Sequence, residues 1–174
     1  MLINSIKETI ENNLSILVGE RVRRLRRAAL MLGIDFGEDV EFKSPTGPEQ
    51  SKISIVPKYA LHIHSSWRLL KDNDICLGHS DLFSRMSGFK YQENSEEAID
   101  SIEFFRVSED LTKEFEAKAI KVTRIEASEL GDLIIYMEQE YSLEIFVDAE
   151  GDTESWRFLK RTEKENHFVV FDSD

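Results

Sequence analysis

The sequence predicts an α+β domain: a β-rich antiparallel sheet, folded as a sandwich or partial barrel, with a short N-terminal helix and one short helix near 108–118. Three observations predict it. Residues 58–70 alternate apolar and polar side chains at period two over a long run. The last third holds short strand-like segments at roughly ten-residue spacing, divided by turn residues. Helix signals, by contrast, occur only in two short stretches.

Taken in order, Ile3, Ile6 and Ile10 recur at three- and four-residue spacing, which predicts a helix over 1–13. Leu14–Val18 then reads as a strand-like run ended by Gly19. Residues 21–27 hold five arginines in seven positions. They run into Ala28–Phe36, where Gly33, Gly37 and the alternation of Leu32, Ile34 and Phe36 favour a strand. The arginines could bind nucleic acid or an acidic partner, but a solvated strand edge is the expected setting, because basic side chains protect edges from aggregation.

Residues 37–56 read as a loop, with Gly37, Pro45, Gly47 and Pro48 among charges and serines. No domain boundary is placed there, since neither side alone could build a core. The chain of 174 residues is taken as a single domain, 1–174.

Residues 58–70 are the clearest strand. Tyr59, Leu61, Ile63, Trp67 and Leu69 share one face; His62, His64, Ser66 and Arg68 share the other. The turn Lys71–Asp74 and a strand Ile75–His79 complete a hairpin. Residues 83–118 are acidic and irregular, with Ser108 expected to cap a short helix. The expected strands beyond it are Ile120–Ala127, Asp132–Met137, Leu143–Val147, Trp156–Leu159 and His167–Phe171. Trp67 and Trp156 are expected as core anchors.

Composition narrows the function. Hydrophobic residues make up 41% and charged residues 32%, as in a globular protein. The net charge of −12 repels phosphate, so no nucleic-acid partner is expected, and it favours encounter with a basic one. The one cysteine, Cys76, points to a reducing compartment. The N-terminal residues do not read as a signal peptide, and no run is long enough to span a membrane. The expectation is a cytoplasmic chain with no membrane partner, as monomer or homodimer.

Catalytic patterns are sparse. There is no glycine-rich phosphate loop and no GxSxG elbow. The strongest polar constellation is His62, His64, Arg68 and Asp81. If Leu70 pairs with Ile75, continued register sets His64 opposite Asp81 and Ser66 opposite His79. Two histidines two residues apart could also chelate zinc, given a third ligand such as His79, Asp81 or His167. Satisfied imidazoles on a polar face are the commoner outcome. No metal, cofactor or enzymatic activity is therefore expected, and a small-ligand or metal-dependent enzyme using this face is the alternative.

The segments Tyr59-Ala-Leu-His-Ile-His-Ser-Ser-Trp-Arg68 and Ile75-Cys-Leu-Gly-His-Ser-Asp-Leu-Phe83 resemble motifs of a family of small bacterial proteins. Arg27-Ala-Ala-Leu-Met31 with Phe36-Gly37, Gly131-Asp-Leu, Leu143-Glu-Ile-Phe, Glu154-Ser-Trp-Arg-Phe and His167-Phe-Val-Val match in order, across about residues 14–171. His64 stands where the family usually has Gln, Ser66 where Pro is common, and Val147-Asp-Ala-Glu departs after Phe146. Members resemble the immunity proteins encoded beside polymorphic or contact-dependent toxins. The resemblance implies a stoichiometric toxin-binding protein with no catalytic residues to carry over. Its partner would be a cognate toxin domain, such as a basic nuclease. The acidic candidates for contact are Glu96, Glu97, Asp100 and Glu103, followed by Asp148, Glu150, Asp152 and Glu154.

Overall fold

The structure is a computed structural model and describes residues 5–43, 53–84, 103–148, 153–162 and 167–170. Helix α1 (Ile6–Leu14) starts at Ser5, whose hydroxyl accepts from the Glu8 amide at 3.2 Å. Its buried residues are Ile10 and Leu14. The strand expected at Leu14–Val18 does not form. Leu14 and Leu17 are buried three apart while Ile16 and Val18 face solvent, so the chain tightens into a 3₁₀ turn at Ser15–Leu17.

Strands β1 (Val22–Ala28) and β2 (Met31–Lys43) form a hairpin, followed by β3 (Ile53–Ile63) antiparallel to β2. The loop expected over 37–56 is strand at 37–43 and 53–56, and 44–52 lies outside the described residues. Gly37 does not end β2. It adopts φ +80° where the register slips between Phe36 and Asp39, so it makes a bulge and the strand continues.

The single strand expected over 58–70 is two. β3 ends at Ile63, and β4 (Ser66–Lys71) belongs to another sheet. The chain turns the corner where the amides of His64 and Ser65 both donate to the Ser155 carbonyl. Tyr59, Leu61, Ile63, Ser65, Trp67 and Leu69 are all buried, so one inward-facing pattern runs unbroken through the corner. β4 pairs with β5 (Asp74–Gly78) across the turn residues Asp72 and Asn73, both at positive φ.

Helix α2 spans Glu103–Lys118. Ser108 is not its cap; it lies inside the helix, buried with Phe104, Leu111 and Phe115, and its hydroxyl donates back to the Phe105 carbonyl at 3.3 Å. β6 (Val122–Ala127), β7 (Leu133–Met137) and β8 (Tyr141–Phe146) form the expected meander. β9 (Trp156–Lys160) and β10 (His167–Val170) do not extend it; they return to β3.

The result is two five-stranded antiparallel sheets, ordered β1-β2-β3-β9-β10 and β5-β4-β8-β7-β6. Their inner faces supply one hydrophobic cluster that also takes residues from both helices, including Ile10 and Phe115. Trp67 and Trp156 are both in it, as expected, and the Trp156 indole donates to the Gly131 carbonyl at 3.0 Å, tying β9 to the edge of the other sheet's meander. A bridge between Arg21 and Lys121 ties the β1 side of the first sheet to the β6 side of the second. No described helix is long and apolar enough to cross a membrane.

Candidate functional site

Three arginines and a buried aspartate gather on the outer face of the first sheet. The β1–β2 register pairs Arg26 with Gly33 and Leu25 with Ile34, and so brings Arg24 and Asp35 together. The Arg24 Nε donates to Asp35 Oδ2 at 2.7 Å, and Arg26 Nη2 donates to Oδ1 at 2.8 Å. Arg161, just beyond β9, adds a third guanidinium: its Nη2 reaches Oδ1 at 3.0 Å while its Nη1 holds the Pro57 carbonyl at 2.7 Å. The Asp35 side chain is 0% exposed, whereas Arg24 and Arg26 remain 43% and 41% exposed.

Burial pushes the Asp35 carboxyl up, but the Arg24 hydrogen bond and the charges of Arg161 and Arg26 outweigh it and hold the group below its ordinary value. Asp35 is thus an ionised anchor beneath a cluster carrying more positive charge than it can cancel.

His62 follows in the same outward row, since Gly33 pairs with His62 and His62 with Arg157. Burial first, and then the charges of Arg26 and Arg161, lower its pKa to about 4. It is therefore neutral at physiological pH. Arg157 Nε donates to Glu154 Oε1 at 2.6 Å, and His64 Nε2 lies 3.6 Å from the same oxygen. The floor of the face is small: Ala60 is fully buried, and Arg26 lies over Gly33, close enough that a β-carbon there would meet its Nη2 at 3.7 Å.

The expected constellation of His62, His64, Arg68 and Asp81 divides between the two sheets. His62 lies in β3 and His64 in the corner just after it, and the charges of both, when protonated, reach Glu154. Arg68 belongs to β4, where it pairs with Glu144 and lies 5.3 Å from the Phe146 ring. Asp81 lies in the 3₁₀ turn after β5 and accepts from the Gly78 amide at 2.7 Å. The anticipated pairs His64–Asp81 and Ser66–His79 fail for a definite reason. Leu70 pairs with Ile75 as expected, but a bulge at Cys76 shifts the register to Leu69–Leu77 and Arg68–Gly78, where β5 ends. His79 instead stacks edge-on against Trp67 at 6.4 Å, and the side chain of His167 is outside the described residues. Burial pushes the Cys76 thiol up, away from the reactive thiolate. Among the described residues no group of three or more His, Cys, Asp or Glu could hold a metal ion.

Of the acidic candidates, Glu96, Glu97, Asp100, Glu150 and Asp152 lie outside the described residues. Glu103 is bonded by Arg106, Asp148 accepts from the Ser66 amide at 3.1 Å and from its hydroxyl, and Glu154 holds Arg157. Each described member is therefore engaged by its own chain. Asp35, Arg24, Arg26 and Arg161 were not among the sequence candidates as a cluster. The signal was present: folding the arginine run back on Leu32–Phe36 about a two-residue turn sets Arg24 beside Asp35.

No family model, no curated protein and no solved structure matches the chain.

Proposed function

We propose that the chain is an immunity-type protein that binds a cognate toxin domain stoichiometrically and neutralises it. The observation that carries this reading is how charge is displayed. Ion-paired and excess charged side chains stand on the outer faces of two laddered sheets, at Asp35 with Arg24, Arg26 and Arg161, and at Arg68 with Glu144. Side chains fixed this way present a preorganised surface, which lowers the entropic cost of docking a protein. A cavity of about 320 Å³ lies at the β1–β2 edge against α2; Leu25, Met31, Phe104 and Phe105 line it, with Arg26 and Arg27, and His62, His64 and His79 do not.

The net charge of −12 supplies long-range attraction toward a basic toxin, while local contacts fix the register. The test is co-expression with the polypeptide encoded immediately upstream, in a bacterial host whose growth that polypeptide arrests. Restored growth and a complex of one chain with one toxin domain are expected. Growth arrest that persists while both chains are soluble and folded would exclude neutralisation.

A further inference from the structure

We propose that the outer face of the first sheet, where Arg24, Arg26 and Arg161 surround buried Asp35 and Arg157 stands farther along the same face paired with Glu154, is a docking surface for an extended acidic segment of a partner protein. The inference rests on the reading that the chain docks a protein, and it names the face and the chemistry of what lies there.

Donor capacity is the first reason. Asp35 has two oxygens and serves three guanidiniums. Each guanidinium carries five N–H donors in a rigid fork. Asp35 is the one hydrogen-bond acceptor that Arg24 and Arg26 each have among the described residues. Half-exposed guanidiniums with unused donors, locked in place by a buried carboxylate, form a preorganised receptor for carboxylates. Local potential is the second reason. His62, in the middle of the row, is held neutral by burial first and then by the charges of Arg26 and Arg161, and that second effect marks a positive local potential on the face.

Spacing decides the occupant. Arg24 and Arg26 are two residues apart on one strand, about 7 Å, and Arg26 to Arg157 crosses three strand spacings, about 14 Å. One compact anion cannot bridge those positions. An extended peptide repeats its side chains on one face every ~7 Å, which matches the cation spacing. Single-stranded nucleic acid repeats its charge at a similar interval, but it gains much of its affinity from bases stacked on aromatic rings. The outward residues Arg24, Arg26, Gly33, Asp35, Ala60, His62, Arg157, Leu159 and Arg161 include no Phe, Tyr or Trp.

The probe is a blocked peptide of alternating glutamate and threonine, titrated at low salt into the full chain. Comparators are the same peptide with Gln for Glu, an oligodeoxythymidine, and inorganic phosphate. The variants are Arg26→Gln and Arg157→Gln, with Arg124→Gln on the other sheet as control, all checked by thermal melting. Saturable binding of the glutamate peptide is expected, weakened about tenfold by either face variant that melts normally, and changed less than about twofold by Arg124→Gln. Comparators should bind at least about tenfold more weakly than the glutamate peptide. Absence of peptide binding, equal loss in Arg124→Gln, or tighter binding of the oligonucleotide or phosphate would each overturn the inference. Neutralisation of a toxin by a chain that binds no acidic peptide would sink this face and leave the docking reading intact.

Discussion

A carboxylate buried beneath three guanidiniums stays ionised because the charge-assisted hydrogen bonds and the positive charges around it outweigh the cost of burial. Asp35→Asn keeps the shape and removes the charge, leaving Arg24, Arg26 and Arg161 to repel one another. We expect a loss of about 3 kcal/mol in urea unfolding, with the slope unchanged; a loss below about 0.5 kcal/mol would mean water already screens the cluster. His62 sets the pH dependence. The unfolded residue takes its proton near pH 6.5 and the folded one near pH 4. Between these values the unfolded chain binds more protons, so stability rises with pH across that window. Asp35 acts the same way at more acid pH: its contribution is present above the ordinary carboxyl value of 3.8 and is lost as pH falls through its lowered one. His62→Gln is expected to flatten the stability profile from pH 4 to 6.5, on the order of 1 kcal/mol after solvent screening, and to leave the acid limb in place. An unchanged profile would place His62 in water. At this scale the sequence displayed the arginine run but not its counter-charge, because Asp35 reads as an interruption of Leu32–Phe36 until the hairpin is closed.

Elements are held by local devices, some legible and some not. The meander β6–β8 and the turn at Asp72–Asn73 followed from period two and turn residues. The corner between β3 and β4 did not, because a shared core keeps the same alternation on both sides of it. The bulges at Gly37 and Cys76 were also hidden: a bulge changes pairing without changing composition. Gly37→Ala tests the first. A β-carbon there would lie 3.1 Å from Glu20 Oε2 and 3.3 Å from the Tyr59 ring, at φ +80°. A loss of about 1–2 kcal/mol is expected on unfolding, and a neutral result would show that β2 tolerates a regular ladder. Helix α2 is fastened by Glu114, which hydrogen bonds from Lys118 and Lys71 hold down to about pKa 2, with Lys71 Nζ at 2.8 Å. Lys71 in turn lies 4.8 Å from the Tyr141 ring, against which Phe115 packs edge-on. Glu114→Gln should raise hydrogen exchange in α2 more than in β7, and equal change in both would show that the latch is not local.

For the whole molecule, the α+β class and its antiparallel, β-rich character, with a sandwich among the expected folds, were readable from alternation and strand spacing, whereas the assignment of each strand to its sheet was not. Strands β9 and β10 lie far along the sequence from β3, and no local pattern tells a strand which sheet it joins. The same division separated His62 and His64 from Arg68 and Asp81, and so removed the polar constellation that the sequence suggested. What stands in its place is a surface reading: two sheets with fixed outward charge, an acidic chain overall, and a cationic face on one side. Toxin neutralisation requires a defined complex, so the most direct measurement is sedimentation of the purified chain mixed with the polypeptide encoded immediately upstream, across a salt series. A stoichiometric complex whose association slows as salt rises is the expected result. Two folded chains that sediment separately at low salt would contradict the central claim.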